Sequence, residues 1–442
     1  MAEVRAFHGL RYNPMFVDDM ADVICPPYDI ISPEQEKALK ERSPYNYIRL
    51  EYSQPTPQDN IVDNRYTRAA AILEKWIGER VMTAEKKAAI YIHDHYFSVF
   101  GKQYKRRGII ARVRLEEWDR MVIRPHEGTL SEPKRDRINL ISAVRANTSP
   151  VYGLYQDIEK DVSRLLELQT ESKPVVSMNI EGERHELWVV TDEPAISKIT
   201  ALFDKKPIYI ADGHHRYESA LTYRRERLAG NPQLPSDDPV NFVMMTLVDF
   251  ADPGLVVLPA HRLLGGMDAS TLSNLKTKLA SFFDVTTIPA KLPAAWETLD
   301  KALKEEGKIR LVMYGLGGTE NFTLLTLREV ETASNLMPYF HSDIYKKLDV
   351  SVLDHIILEE LMGLKTVEDP RIAFNFDRND VVSRVKSGEF QLAFILNPMK
   401  AEVIKAISDV SDRMPRKSTY FFPKLPSGLV VYRFDSEANT KK

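Results

Sequence analysis

Residues 207–220, Pro-Ile-Tyr-Ile-Ala-Asp-Gly-His-His-Arg-Tyr-Glu-Ser-Ala, constrain the fold more than any other stretch of this 442-residue chain. A short apolar run, Ile208-Tyr209-Ile210-Ala211, stops at Asp212-Gly213, and helix-forming residues run from Tyr217 to about Leu228. That change of pattern across one glycine reads as strand, tight turn and helix N-terminus. The junction favours an anion, because first-turn N–H groups lack intrahelical acceptors and the macrodipole is positive there. Gly213 allows the tight turn and the close approach of a ligand to the backbone. His214, His215 and Arg216 occupy the first turn, where Arg216 offers a planar fork for phosphate or carboxylate. Asp212 is suited to a metal ion or a substrate donor. The plainer reading, a polar helix start that only caps itself, does not explain two adjacent imidazoles beside a guanidinium.

Length alone asks for two or three domains. An apolar fraction of 43% and a charged fraction of 28% describe a water-soluble globular composition. The formal net charge of −3 gives no overall drive toward nucleic acid or anionic lipid. A single cysteine, Cys25, excludes an internal disulfide framework and a cysteine-cluster metal site. The start, Met-Ala-Glu-Val-Arg-Ala-Phe-His, lacks the apolar stretch of a signal peptide. No run approaches the roughly 18 apolar residues that span a bilayer. The expectation is a cytoplasmic protein with a small-molecule substrate, without nucleic acid or membrane as partner.

The pattern along the chain predicts an α/β (α+β) fold in three regions. Residues 1–87 form an N-terminal mixed region, with a capped helix at Ser32-Pro33-Glu34-Gln35 and an amphipathic helix over 63–76. Residues 88–265 form the core. It opens with a hairpin at 88–99 and 104–115 and continues through a helix at 133–147 and a strand at 150–155. A second hairpin (175–180, 185–191), the 207–220 junction and an apolar strand at 241–248 complete it. Residues 266–442 form a C-terminal α/β region of alternating helices and strands, including a strand at 428–434.

Three further clusters carry chemistry. Arg124-Pro125-His126-Glu127-Gly128 leads into Pro133-Lys134-Arg135-Asp136-Arg137. There Glu127 is a candidate base or metal ligand, while Lys134 and Arg137 are candidate phosphate contacts. Leu258-Pro259-Ala260-His261-Arg262 adds an imidazole and a guanidinium. The Met414–Lys424 stretch is rich in cations and aromatics, a composition common in binding loops. His93-Asp94-His95 has zinc-like spacing on one strand face, but with no third ligand in sight it reads as an exposed hairpin face. Cys25-Pro26-Pro27-Tyr28-Asp29 reads as a stiff proline turn.

The segments at 124–127, 133–137, 146–155, 211–218, 258–262 and 414–425 together resemble the domain-of-unknown-function 1015 family over nearly the whole chain. The Asp-Gly-His-x-Arg turn, preceded by Pro-His-Glu, is more distantly similar to the ParB and sulfiredoxin-like superfamily, and within it to free-serine kinases. That resemblance implies a ParB/sulfiredoxin-like mixed core. It also implies a nucleotide-dependent (ADP or ATP) small-molecule kinase that moves a phosphoryl group to the hydroxyl of serine or a similar metabolite. Glu127, His126 and Asp212 would then be catalytic, with Glu127 the base. Gly213, His214, His215, Arg216, Lys134, Arg137, His261 and Arg262 would bind the nucleotide, and Asp212 would bind Mg2+. The alternatives from other classes are a non-catalytic nucleotide-binding switch and a metal-dependent phosphodiesterase.

Overall fold

The strand Phe242–Asp249 is buried along its whole length, which requires a packed layer on each face of its sheet. The sheet has nine strands: β1 (Val4–Arg5), β2 (Ile90–Val99), β3 (Lys102–Arg114), β4 (Ile123–Arg124), β5 (Val151–Tyr155), β6 (Val176–Ile180), β7 (Glu183–Val190), β8 (Ile208–Asp212) and β9 (Phe242–Asp249). Across the sheet the order is β4-β8-β5-β9-β3-β2-β7-β6, with β1 on β3. β8 runs parallel to β4, and β9 parallel to β5. The remaining pairings are antiparallel, as hairpins demand.

Period-two alternation feeds two cores. Ile90, Ile92, Ile109, Val113, Val243 and Met245 enter one apolar cluster, and Tyr91, Ile110, Phe242 and Met244 enter the other. The first is covered by α4 (Asp161–Gln169), α5 (Glu193–Ala201) and α6 (His214–Gly230) through Val162, Leu166, Ile199, Tyr217 and Leu221. The second is covered by α1 (Pro33–Arg42), α2 (Arg65–Gly78) and α3 (Ser131–Val144) through Leu39, Leu73, Trp76 and Val144. Ser32 and Gln35 form the expected reciprocal cap of α1.

The computed structural model describes residues 2–365 and 369–434 and divides into two units. Unit 1, which holds this sheet, comprises Met1–Pro125, Thr129–Val256 and Pro423–Lys442; unit 2 comprises His126–Gly128 and Val257–Phe422. Unit 2 has its own six-stranded antiparallel sheet: β10 (His261–Leu264), β11 (Phe283–Pro289), β12 (Arg310–Gly315), β13 (Gly318–Leu327), β14 (Ile372–Asn375) and β15 (Leu392–Ile395). Its order is β11-β13-β12-β15-β10-β14. Helices α7 (Ala269–Phe282), α8 (Ala295–Leu303), α9 (Arg378–Lys386) and α10 (Ala401–Asp409) belong to the same unit. Leu263, Leu299, Val312, Val381 and Ala393 make its core. The protein is thus mixed α/β, as the sequence pattern predicts.

Two expectations need correction. The strand expected over 428–434 is only Tyr432–Arg433, paired with Ala146–Asn147. The face of β2 that carries His93 and His95 is not exposed, since their exposures are 3% and 1%. β7, about 90 residues further along, pairs with the free edge of β2 and sets His185 opposite His95. Asp94 points to the other face and is held by Arg107 in two contacts of 2.6 Å.

Leu73 on α2 is fully buried. Leu73→Ala is expected to cost roughly 2–5 kcal/mol of stability, read by urea unfolding as a lower midpoint at unchanged slope.

Candidate functional site

The backbone prepares the site before any side chain reaches it. The pairing of β8 with β5 slips by one residue between Ile210 and Asp212, and such a bulge re-aims the residue that follows it. Gly213 then takes φ 89°, a left-handed conformation that an L side chain adopts only at a cost. α6 begins at His214, and its N-cap, Gly213, supplies no side-chain cap. A Cβ at Gly213 would lie 2.9 Å from Arg216 Nε, so glycine leaves open the space beside that guanidinium.

Asp212 is the centre of charge. Arg216 donates from one terminal nitrogen to Asp212 Oδ2 at 2.7 Å and from the other to Pro150 O at 2.5 Å. Lys424 donates to Asp212 Oδ1 and stands 3.9 Å from Asp29. Burial alone would raise the Asp212 carboxyl, but Lys424, Arg216 and the nearby His214 hold it well below the usual range. The Arg216 side chain is 10% exposed, and its Nε is buried without a hydrogen-bond partner. Such a donor is costly to leave unpaired and fits an acceptor brought by a ligand.

Other predicted residues surround this centre within unit 1. His215 Nε2 accepts from Leu130 N at 3.0 Å. Lys134 donates to Glu218 at 3.0 Å, and Thr129 donates to the same carboxylate. Although burial pushes Glu218 up, Thr129 and Lys134 keep it below its ordinary value. Arg137 is buried, stacks its guanidinium 3.8 Å from the Tyr28 ring centre, and is tied to Asp136 and to Glu51 O. Burial pushes the Tyr28 phenol up to about 12, and the charges of Arg137, Asp29, Arg216 and Asp212 all act on it. Lys424 and the Tyr28-Asp29 turn were not assigned a role from sequence. Their signal was only a cationic, aromatic stretch and a proline turn, far from residue 212 in the chain.

The other predicted residues gather in unit 2. His126 is buried, with Nε2 3.1 Å from Thr419 Oγ1. Glu127 Oε1 accepts from Lys417 N at 3.5 Å. Arg262 is buried and donates to Ala260 O (2.5 Å), Lys417 O (3.1 Å) and Arg416 O (3.3 Å), with Asp354 at 3.4 Å. His261 Nδ1 accepts from Leu396 N at 3.2 Å, and burial with the Arg262 charge pushes this imidazole down to about 3. His126, Glu127 and Arg262 therefore all meet the 416–419 segment, which Arg262 fixes through its carbonyls.

The family model described as "Protein of unknown function (DUF1015)" matches residues 4–351. The chain belongs to the DUF1015 family. No curated protein sequence matches it. Among solved structures, a conserved hypothetical protein from Pyrococcus furiosus is 15% identical at a TM-score of 0.35, covering 74% of this chain and 95% of that one. A free serine kinase variant in complex with AMP is 13% identical at TM-score 0.35, covering 73% and 92%. SbnI with a C-terminal truncation, from Staphylococcus aureus, is 11% identical at TM-score 0.35, covering 73% and 87%. Among the described residues of this DUF1015 chain, no helix is long and apolar enough to cross a membrane.

Removing the Asp212 charge would take from Arg216 and Lys424 the carboxylate that both contact. Asp212→Asn is expected to cost roughly 3–5 kcal/mol at neutral pH. A depressed carboxyl stabilises the fold above its unfolded value of about 3.9 and loses that effect as pH falls through the folded value. The stability gap between wild type and Asp212→Asn should therefore be constant near neutral pH and begin to narrow as pH falls below about 4, as thermal melts across pH 3–7 would show.

Proposed function

We propose that the turn Asp212–Arg216 binds the phosphate of a nucleotide, and that the chain is a nucleotide-dependent small-molecule kinase of free-serine-kinase type. One observation carries the phosphate reading: the buried, unpartnered Nε of Arg216 lies over Gly213 at the uncapped start of a 17-residue helix. A phosphate oxygen there would meet a guanidinium donor, the positive end of α6 and the ammonium of Lys424 together. Phosphoryl transfer asks mainly for such positioned cations and an oriented nucleophile.

The donor set does not fit a resident magnesium ion. Asp212 is a single carboxylate with one oxygen on Lys424 and the other on Arg216, whereas Mg2+ takes oxygen ligands not already paired with cations. Asp212 is better read as the counter-ion that holds both cations toward a phosphate, and magnesium would arrive on the nucleotide itself. The same feature favours the second reading, a nucleotide-binding switch that holds phosphate without transferring it. The base of the kinase reaction is assigned to Glu127 on the resemblance of the Pro-His-Glu segment to that of free-serine kinases.

Titration calorimetry with ADP and ATP tests the binding. Affinity is expected to survive chelation of magnesium and to fall about tenfold or more in Lys424→Met, from the ~1.5–3 kcal/mol of a hydrogen bond to a charged group. No binding of either nucleotide at millimolar concentration would sink the reading. Phosphorus NMR with hydroxy-amino acid acceptors then separates kinase from switch. In the kinase, Glu127→Gln should remove most turnover, since base assistance is worth roughly 10²–10⁴ in rate, and leave nucleotide affinity unchanged.

A further inference from the structure

Unit 1 holds a second polar cluster, which the phosphate site does not use. β2 contributes His93 and His95, and β7 contributes Glu183 and His185, each pair two residues apart and so on one face. His95 and His185 are direct cross-strand partners, and Arg106 of β3 is the partner of His95 on its other side. All three imidazoles are buried, while Glu183 is partly open to solvent with its side chain 29% exposed. His95 Nε2 lies 2.6 Å from Glu183 Oε2, and His185 Nε2 lies 4.0 Å from the same oxygen. The ligand atoms of His95, Glu183 and His185 all lie within 4.8 Å of one another. His93 Nε2 sits 3.1 Å from His185 Nδ1.

We propose that His95, Glu183 and His185 form a binding site for a transition-metal ion of the Zn2+ class, with His93 orienting His185 from behind. Two imidazoles and one carboxylate are the donor set that zinc, cobalt and nickel prefer over magnesium or calcium. Three protein ligands leave a fourth position for water on the side that Glu183 opens to solvent. The contact of His93 with the remote nitrogen of His185 is the kind that fixes a metal-binding tautomer.

Arg106 sets the condition for binding. Its terminal nitrogen meets His95 Nδ1 at 3.1 Å and Pro423 O at 2.9 Å. While Arg106 donates to Nδ1, the His95 proton sits on Nε2 and is given to Glu183. A metal ion between His95 and Glu183 takes that proton's place; the proton moves to Nδ1, and Arg106 keeps Pro423 O as its acceptor. Because Pro423 precedes Lys424, the metal would adjust the anchor of the segment that carries the lysine bound to Asp212.

The test uses the full-length, tag-free protein, stripped with chelator and titrated with Zn2+ or Co2+ alone. One equivalent is expected to bind at micromolar affinity or tighter, and Co2+ should give the visible bands of four- or five-coordinate geometry. Glu183→Gln and His185→Gln should each weaken binding at least tenfold, and His93→Gln by about tenfold as a supporting group. Circular dichroism confirms that each variant is folded; should His185→Gln not fold, Glu183→Gln at the more open position decides. Failure of the wild type to bind one equivalent, or full affinity retained in folded Glu183→Gln, overturns the proposal.

Discussion

Asp212 sits between two cations, and the geometry of the candidate site depends on that arrangement. Burial disfavours the Asp212 anion, and Lys424 and Arg216 more than offset that desolvation. The bond to Arg216 fixes how the guanidinium lies over Gly213, and the bond to Lys424 ties the 423–434 segment to the end of β8. Backbone and charge act together here. The bulge before Asp212, the left-handed Gly213 and the uncapped helix start would leave a cluster of like charges if the carboxylate were removed.

The sheet that carries Asp212 is apolar on both faces over most of its area, and this makes its polar rows stand out. One row runs Arg106, His95, His185 across β3, β2 and β7. Neutral imidazoles are among the least costly polar side chains to bury, because each ring both donates and accepts. Here the chain places three of them together and lets Arg106 connect them to Pro423 O. The Asp212–Arg216 turn and the histidine cluster thus both belong to unit 1, and Arg106 links the cluster to the carbonyl that precedes Lys424.

Local chemistry made much of this legible. The switch from Ile208-Tyr209-Ile210-Ala211 to a helix across one glycine appears as β8 and α6, because strand and helix periods and the needs of a turn are properties of a few adjacent residues. The hairpin β2–β3, the capping box of α1 and the helices of unit 2 follow for the same reason. The partners of Asp212 and of His95 were not legible in that way. Lys424 lies 212 residues from Asp212, and His185 lies 90 residues beyond His95. No periodicity or spacing rule reaches that far, and reading an exposed face on the β2–β3 hairpin wrongly left His93 and His95 open to solvent.

By itself, then, the sequence determined the mixed α/β class, the strand–turn–helix at Asp212–Arg216 and the residues able to carry charge there, because these rest on short-range sterics, dipoles and side-chain chemistry. The tertiary structure decided which charges meet. It made Asp212 a counter-ion for Lys424 and Arg216, stacked Arg137 on Tyr28, set His126, Glu127 and Arg262 on the 416–419 segment, and closed the histidine cluster with β7. Those pairings come from how strands align and how the chain returns to the sheet.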